Sequence, residues 1–110
     1  SKNMNESAES ELNSLGEIDR VLHEPARMQI CALLYVLESA DFIFIMNQTG
    51  LTWGNLSAHL SKLESAAYVE INKSFHGKRP KTSILLTEQG RMAFKEYTLK
   101  MRSLFNNLPI

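Results

Sequence analysis

The stretch that most constrains the fold is residues 52–67, where apolar residues recur at steps of three or four positions. These residues are Leu56, Leu60, Leu63 and Ala67. A helix would align them in one apolar stripe and leave short, mostly uncharged side chains on its opposite side. Small hydrogen-bond donors and acceptors suit a surface that reads base edges in a DNA major groove. An ordinary amphipathic helix with a polar outer face explains the stripe equally well.

Length and composition predict one domain with its own core. The chain has 110 residues, of which 44% are hydrophobic, and this suffices for a core at such a size. No apolar run approaches the roughly 20 residues of a membrane helix, and the N-terminus lacks the apolar segment of a secretory signal. The single cysteine, Cys31, cannot form an internal disulfide. We therefore expect a cytoplasmic protein with no membrane contact.

The charges are divided unevenly along the chain. Residues 1–51 contain three Lys or Arg and eight Asp or Glu, whereas residues 52–110 contain nine and four. The formal net charge is zero, which argues mildly against a protein that coats nucleic acid. The basic second half nevertheless indicates one side that faces a polyanion.

The first half of the chain is expected to be helical. Residues 1–16 form a polar leader, and residues 17–24 contain apolar positions typical of one helical turn packed on the core. Pro25 begins a helix over residues 25–39 that should be central and well buried. Residues 40–48 are ambiguous between strand and helix, and we expect a brief strand contact at Phe42 followed by a helix over residues 44–48.

A turn then leads into the 52–67 helix. Gly50 suits a helix C-cap, and Thr52 can cap the N-terminus of the next helix. A short helix, a glycine-containing turn and a helix with a polar outer face form a helix-turn-helix, whose second helix enters the major groove.

Residues 68–87 predict a β-hairpin with a cationic tip. Alternating apolar residues indicate strands over 68–75 and 82–87, with Pro80 in a loop of five or six residues over 76–81. The cations in or beside that loop are Lys73, Lys78, Arg79 and Lys81. Such a tip would reach a phosphate backbone or a minor groove, although a solvated charged tip is a common alternative.

The last helix is predicted over residues 88–108, with Thr87 as its N-cap and Glu88 favourable to the helix dipole. Its apolar residues occupy more than one side, which predicts a homodimer formed through this helix. The alternative is that the helix only closes its own core. The expected dimer-interface residues are Met92, Tyr97, Met101, Leu104, Phe105 and Leu108.

The sequence shows no catalytic or cofactor motif. It has no Gly-rich phosphate loop, no CxxC and no His-x-x-x-His, and the three histidines are not at a metal-ligand spacing. We therefore expect neither an enzyme nor a metal or cofactor site, and no small-molecule effector is identified.

The Leu-Ser-x-His-Leu-x-x-Leu-Glu pattern at 56–64 and the Gly-Lys-Arg-Pro run at 77–80 resemble MarR/ArsR-like winged helix-turn-helix transcriptional regulators. The resemblance covers about residues 18–105 and implies a mainly α, α+β fold in which the hairpin is the wing. It implies a homodimer on a roughly palindromic operator. Two residues depart from the family: Ala67 replaces a glycine, so the helix C-cap should need a different geometry, and Trp53 is unusually large. The cysteine pairs of the metal-sensing branch are missing.

The main hypothesis is a sequence-specific regulator that binds double-stranded DNA through the 52–67 helix and the wing. Asn55, Ser57, Ala58 and Ser61 would face bases, while Lys62, Lys78, Arg79 and Lys81 would hold phosphates. The other predicted DNA-binding residues are Thr52, Trp53, His59, Lys73 and His76. The alternative is a winged-helix module that binds another protein and not DNA.

Overall fold

The computed structural model describes Glu6 and residues 17–110. The expected leader over residues 1–16 thus lies outside the described residues, apart from Glu6. The elements from residue 17 onward are α1 (Pro25–Leu37), β1 (Ser39–Asp41), α2 (Phe42–Thr49), α3 (Trp53–Ser65), β2 (Val69–His76), β3 (Arg79–Leu86) and α4 (Glu88–Asn106). No helix in this part of the chain has the length and apolar character needed to cross a membrane.

The segment before α1 is a single turn held by Asp19. Its Oδ1 accepts hydrogen bonds from the backbone N–H groups of Val21 and Leu22, and its carbonyl accepts one from that of His23. Ile18 and Leu22 are buried, as the apolar spacing predicts. The side chain of Glu24 then caps α1 by accepting a hydrogen bond from the N–H of Arg27.

Helix α1 is buried on one side only, which corrects the expectation of a well-buried helix. Ile30, Cys31 and Leu34 are inaccessible to solvent, whereas Val36 is 78% exposed. The many apolar residues of this segment predicted too much burial, because the sheet and the other helices cover only one face of α1.

The helix-turn-helix is confirmed, with small changes in its bounds. The strand contact ends at Asp41, one residue before Phe42, and the Asp41 side chain caps α2. Gly50 adopts the left-handed conformation at the end of α2, with φ +72°. Thr52 then caps α3 by accepting a hydrogen bond from the N–H of Asn55.

The sheet has three antiparallel strands in the order β1–β3–β2, so the hairpin is joined by the short strand that the sequence placed near Phe42. Ala40 of β1 pairs with Ile84 of β3, and Ile71 of β2 pairs with the same residue. The edge strand β1 ties the helical half to the hairpin. The buried core cluster contains residues of the first turn and of every element except β1, whose Ala40 packs against it.

The junction between α3 and α4 is closely packed. The N–H of Tyr68 donates to the carbonyl of Leu63, and that of Ala67 donates to the carbonyl of Glu64, so α3 ends in a Schellman motif. Ala67 holds the left-handed φ of +65°, which shows that alanine keeps the usual glycine geometry here; our expectation of a different cap was wrong. A Cβ at Gly90 would lie 2.1 Å from the carbonyl oxygen of Tyr68, so only glycine fits there.

Candidate nucleic-acid interface

The outer face of α3 is exposed and made of short side chains. Leu56, Leu60 and Leu63 are buried against the core, with at most 2% of their surface exposed. This burial turns the opposite side of the helix to solvent. The exposed residues include Thr52, Trp53, Asn55, Ser57, Ala58, Ser61 and Lys62, all of them predicted for DNA binding. The structure thus leaves the whole predicted reading face open.

Trp53 packs against the preceding helix. Its ring lies 4.3 Å from that of Phe42, centroid to centroid, yet 60% of the tryptophan surface stays exposed. The ring thus anchors the N-terminus of α3 to the first residue of α2. The remaining exposed part of the ring borders the reading face.

His59 is half-buried and held from the side of α1. Its Nδ1 lies 3.1 Å from Nη1 of Arg27 and 3.7 Å from Oε2 of Glu24. Arginine only donates, so the Nδ1 of His59 accepts this hydrogen bond. Burial opposes the ionised form of Glu24, but the backbone N–H groups of Arg27 and Ala26 and the positive charge of Arg27 outweigh it and lower the pKa of that carboxyl. This cluster orients α3 on the core.

The wing is tighter than the sequence predicted. Strands β2 and β3 continue to His76 and Arg79, which pair with each other, so the turn consists of Gly77 and Lys78 and not of five or six residues. Gly77 has a φ of +69°, typical of tight hairpin turns. Pro80 lies within β3 opposite Phe75, beyond the end of β1, where its missing N–H interrupts no pairing with β1.

The pairing register divides the wing residues between two faces of the hairpin. Pairs two residues apart share a face, so Lys73 with Thr82 continues the face of Ile71 with Ile84. Ser74 with Lys81, and His76 with Arg79, point to the other face. The predicted wing cations therefore do not form one patch. They surround the tip of the hairpin.

One groove joins the reading face of α3 to the wing. It has a volume of about 290 Å³ and lies between the two elements. Its lining residues are Phe42, Trp53, Ser57, Leu60, Ser61, Glu64, Ile71, Lys73 and Thr82. Four predicted DNA-binding residues, from both α3 and β2, are thus brought together. Glu64 also lines the groove and was absent from the predicted set.

The wing cations are available to a polyanion. Lys73, Lys78, Arg79 and Lys81 are all exposed. Within residues 17–110, none of the four forms an ion pair. Their positive charge is therefore not neutralised by neighbouring carboxylates in the described part of the protein.

The residues predicted for the dimer interface occupy different surroundings. Tyr97 and Leu104 are each only 5% exposed, and the hydroxyl of Tyr97 lies 2.8 Å from Nδ1 of His23. Both are thus buried within the chain itself. Met101 and Leu108 are half-buried, while Met92 and Phe105 are exposed by 67% and 57%. Leu99, also 50% exposed, lies two turns after Met92 on the outer side of α4 and was not in the predicted set.

Across residues 17–110, buried and acidic side chains offer no second site. Burial raises the pKa of the Cys31 thiol to about 12, so the group stays protonated and behaves as a small apolar residue. Among the described residues, no three His, Cys, Asp or Glu side chains lie close enough together to hold a metal ion.

An exposed helix of small side chains beside a cationic hairpin defines a winged-helix DNA-binding domain. The family described as "Winged helix DNA-binding domain" matches residues 26–105, and the chain belongs to it. The uncharacterized protein MJ0432 of Methanocaldococcus jannaschii is 40% identical over 89 residues, which cover 81% of this chain and 97% of that protein. The resemblance noted from the motifs is thereby confirmed, and so is the expectation that the chain is not an enzyme.

Solved structures show the same fold. A transcriptional regulator homologue from Pyrococcus horikoshii OT3 is 28% identical with a TM-score of 0.84, over 89% of this chain and 99% of that one. The transcriptional repressor BigR from Xylella fastidiosa is 22% identical with a TM-score of 0.61, over 86% and 91%. Reduced AbfR bound to DNA is 19% identical with a TM-score of 0.63, over 96% and 68%.

Proposed function

We propose that this protein is a sequence-specific DNA-binding transcriptional regulator that acts as a homodimer. Helix α3 lies in the major groove, with Asn55, Ser57, Ala58 and Ser61 towards the bases. Lys62 and the wing residues Lys78, Arg79 and Lys81 hold phosphates. Thr52, Trp53, His59, Lys73 and His76 complete the proposed contact surface.

The observation that carries the proposal is the groove between α3 and the wing. It joins the short polar side chains Ser57 and Ser61 to Lys73 on one continuous exposed surface. Small side chains allow the helix axis to approach base edges closely, and free cations beside them supply affinity without sequence preference. The family, the regulator homologue from Pyrococcus horikoshii and the DNA-bound AbfR, which shares the fold, support the same function.

The test is fluorescence anisotropy of a labelled mixed-sequence duplex titrated with the protein at several salt concentrations. We expect affinity to fall steeply with salt, because each phosphate contact releases counterions and contributes about 0.9 to the slope of log K against log salt. Replacing Lys78 and Arg79 together with alanine should weaken binding to every sequence and flatten the slope by about two for each bound copy, and thus by nearly four for the homodimer.

A matched control removes the same charge elsewhere. Lys100 and Arg102 lie on α4, away from the wing and outside the groove beside Met92 and Leu99, so the Lys100→Ala, Arg102→Ala double variant should keep the slope of the unmodified protein. Equal slopes for both double variants would remove the wing from the proposal. If the unmodified protein binds no duplex at low salt, the protein-interaction module becomes the better account, and capture of a protein partner would be tested next.

A further inference from the structure

The tip of the wing carries an aromatic ring that nothing in the fold covers. Phe75 is 76% exposed, which makes it the most exposed aromatic ring among the described residues. It pairs across the hairpin with Pro80, which is also exposed. An apolar pair at the end of a hairpin contributes little to folding, because it removes little surface from water.

The register shows which way this pair faces. Phe75 and Pro80 lie two residues beyond Lys73 and Thr82, which both line the groove beside α3. Since side chains on a strand alternate with a period of two, the apolar pair continues the groove face outward by about 7 Å. It thus lies on the α3 side of the wing, past the end of the groove.

Cations surround the apolar pair. Lys73 precedes it on the same face, Lys78 forms the turn, and Arg79 and Lys81 flank Pro80 on the opposite face. All four are exposed and, in residues 17–110, without an ion pair. Two apolar side chains within a ring of positive charge complement a polyanion that also has apolar parts. A duplex minor groove has both, since phosphates line its edges and sugars and base steps form its walls and floor.

We propose that Phe75, supported by Pro80, is an apolar wedge that enters the minor groove next to the major groove occupied by α3. The proposal rests on the proposed function, since it needs DNA on the α3 face. The ring packs on deoxyribose and on the edge of a base step, while Lys78 and Arg79 hold the phosphates on either side. Such a wedge favours steps that unstack easily, so it adds sequence preference outside the bases that α3 reads.

The first experiment separates apolar contact from charge. Phe75→Ala should lower the affinity for a mixed-sequence duplex about tenfold at every salt concentration and leave the salt slope unchanged, because no phosphate contact is lost. Phe75→Leu should regain most of the affinity. Val36→Ala removes an equally exposed apolar side chain from α1 and should change nothing. Circular dichroism should give unchanged thermal unfolding for Phe75→Ala, because the ring is exposed.

The second experiment detects the wedge directly. A duplex of alternating A and T, with 2-aminopurine in place of some adenines, should become more fluorescent when the unmodified protein binds, because the probe brightens as it unstacks. Saturating Phe75→Ala should produce less of this increase.

The outcomes distinguish the two proposals. If the unmodified protein binds neither duplex at low salt, the proposed function itself fails. If it binds and Phe75→Ala binds equally well, the wedge is wrong while the function stands. A flatter salt slope for Phe75→Ala would show that the ring only positions cations. A change in sedimenting mass would instead assign the ring to a contact between copies of the chain, and either result overturns the wedge.

Discussion

Ala67 holds a backbone conformation that is strained for any residue with a Cβ. It adopts φ +65° because the Schellman motif at the end of α3 requires a left-handed residue there, and because the Oγ1 of Thr87 donates a hydrogen bond of 2.6 Å to its carbonyl. Ala67→Gly should therefore stabilise the fold by about 0.5–1 kcal/mol, the relieved strain exceeding the added freedom of the unfolded chain. Chemical denaturation measures the change.

The neighbouring alanine supplies the control for this prediction. Ala66 has the ordinary right-handed φ of −81°, so Ala66→Gly relieves no strain and only loosens the unfolded chain. It should destabilise the protein by about 0.5–1 kcal/mol. Equal signs for the two glycine variants would mean that the left-handed conformation at Ala67 carries no strain.

The thiol of Cys31 and the hydroxyls of Tyr68 and Tyr97 make the fold sensitive to alkali. Burial raises the pKa of Cys31 from 9.0 to about 12, and burial together with the hydrogen bond to Asp19 raises that of Tyr68 from 10.0 to about 12. Burial also raises the pKa of Tyr97. Below about pH 9 all three groups are mainly neutral in the folded protein and in the unfolded chain. Above it the unfolded chain loses its protons first, so the free energy of unfolding falls as the pH rises towards 12.

Denaturation midpoints measured from neutral pH to about pH 11 test this pH dependence. Cys31→Ala should reduce the fall in the free energy of unfolding at high pH, because it removes one of the three titrating groups. It should also lower stability at neutral pH, because it leaves a small cavity in the core. A midpoint that stays constant between about pH 8 and pH 11 would contradict the prediction.

At the scale of elements, Arg27 connects the first turn, α1 and α3. Its Nε donates to the carbonyl of Val21 at 2.7 Å, and its Nη1 donates to Nδ1 of His59 at 3.1 Å. Arg27→Ala should cost about 1–2 kcal/mol of stability, since both acceptors lose their donor. His59→Ala should cost less, and a double-mutant cycle should give a coupling of about 0.5–1 kcal/mol. Additive effects in the cycle would show that the contact does not hold α3 in place.

The sequence predicted elements best where one local signal settled the conformation. Thr52, Gly50 and Thr87 mark helix ends by their own chemistry, so the caps of the helix-turn-helix and of α4 were confirmed. The brief strand expected at Phe42 lies instead over Ser39–Asp41, because its position is set by pairing with β3, far along the chain, and not by a local signal. The predicted turn of the wing was too long because Pro80 is a typical loop residue. In the structure Pro80 belongs to β3, at a position beyond the end of β1 where a missing N–H is tolerated.

The candidate site was predictable in composition but not in arrangement. Helical periodicity alone identified the exposed side of α3, because the buried leucines fix which side faces solvent. The division of the wing cations between two faces, and the position of Phe75 on the α3 side, depend on the strand register. That register follows from a two-residue turn that the sequence analysis did not anticipate.

At the scale of the whole molecule, α4 presents a stripe that the protomer does not use. Met92 and Leu99 lie two turns apart on the side opposite the buried Tyr97, with 67% and 50% of their surfaces exposed. A groove along this side is lined by both residues and by Tyr68. We expect a second copy of the chain to cover the stripe, because α4 holds three of the large exposed apolar side chains, Phe105 being the third.

Sedimentation of the unmodified protein at increasing concentration should give twice the mass of the chain. The Met92→Ser, Leu99→Ser double variant should sediment with the mass of a single chain. Both side chains are exposed, so the variant should fold and keep its helical circular dichroism. Ile43→Ser, an exposed residue of α2, should leave the mass unchanged. Because each copy is proposed to read one half-site, the monomeric variant should also bind DNA with a flatter salt slope. A single-chain mass for the unmodified protein at all concentrations would show that α4 closes only its own core.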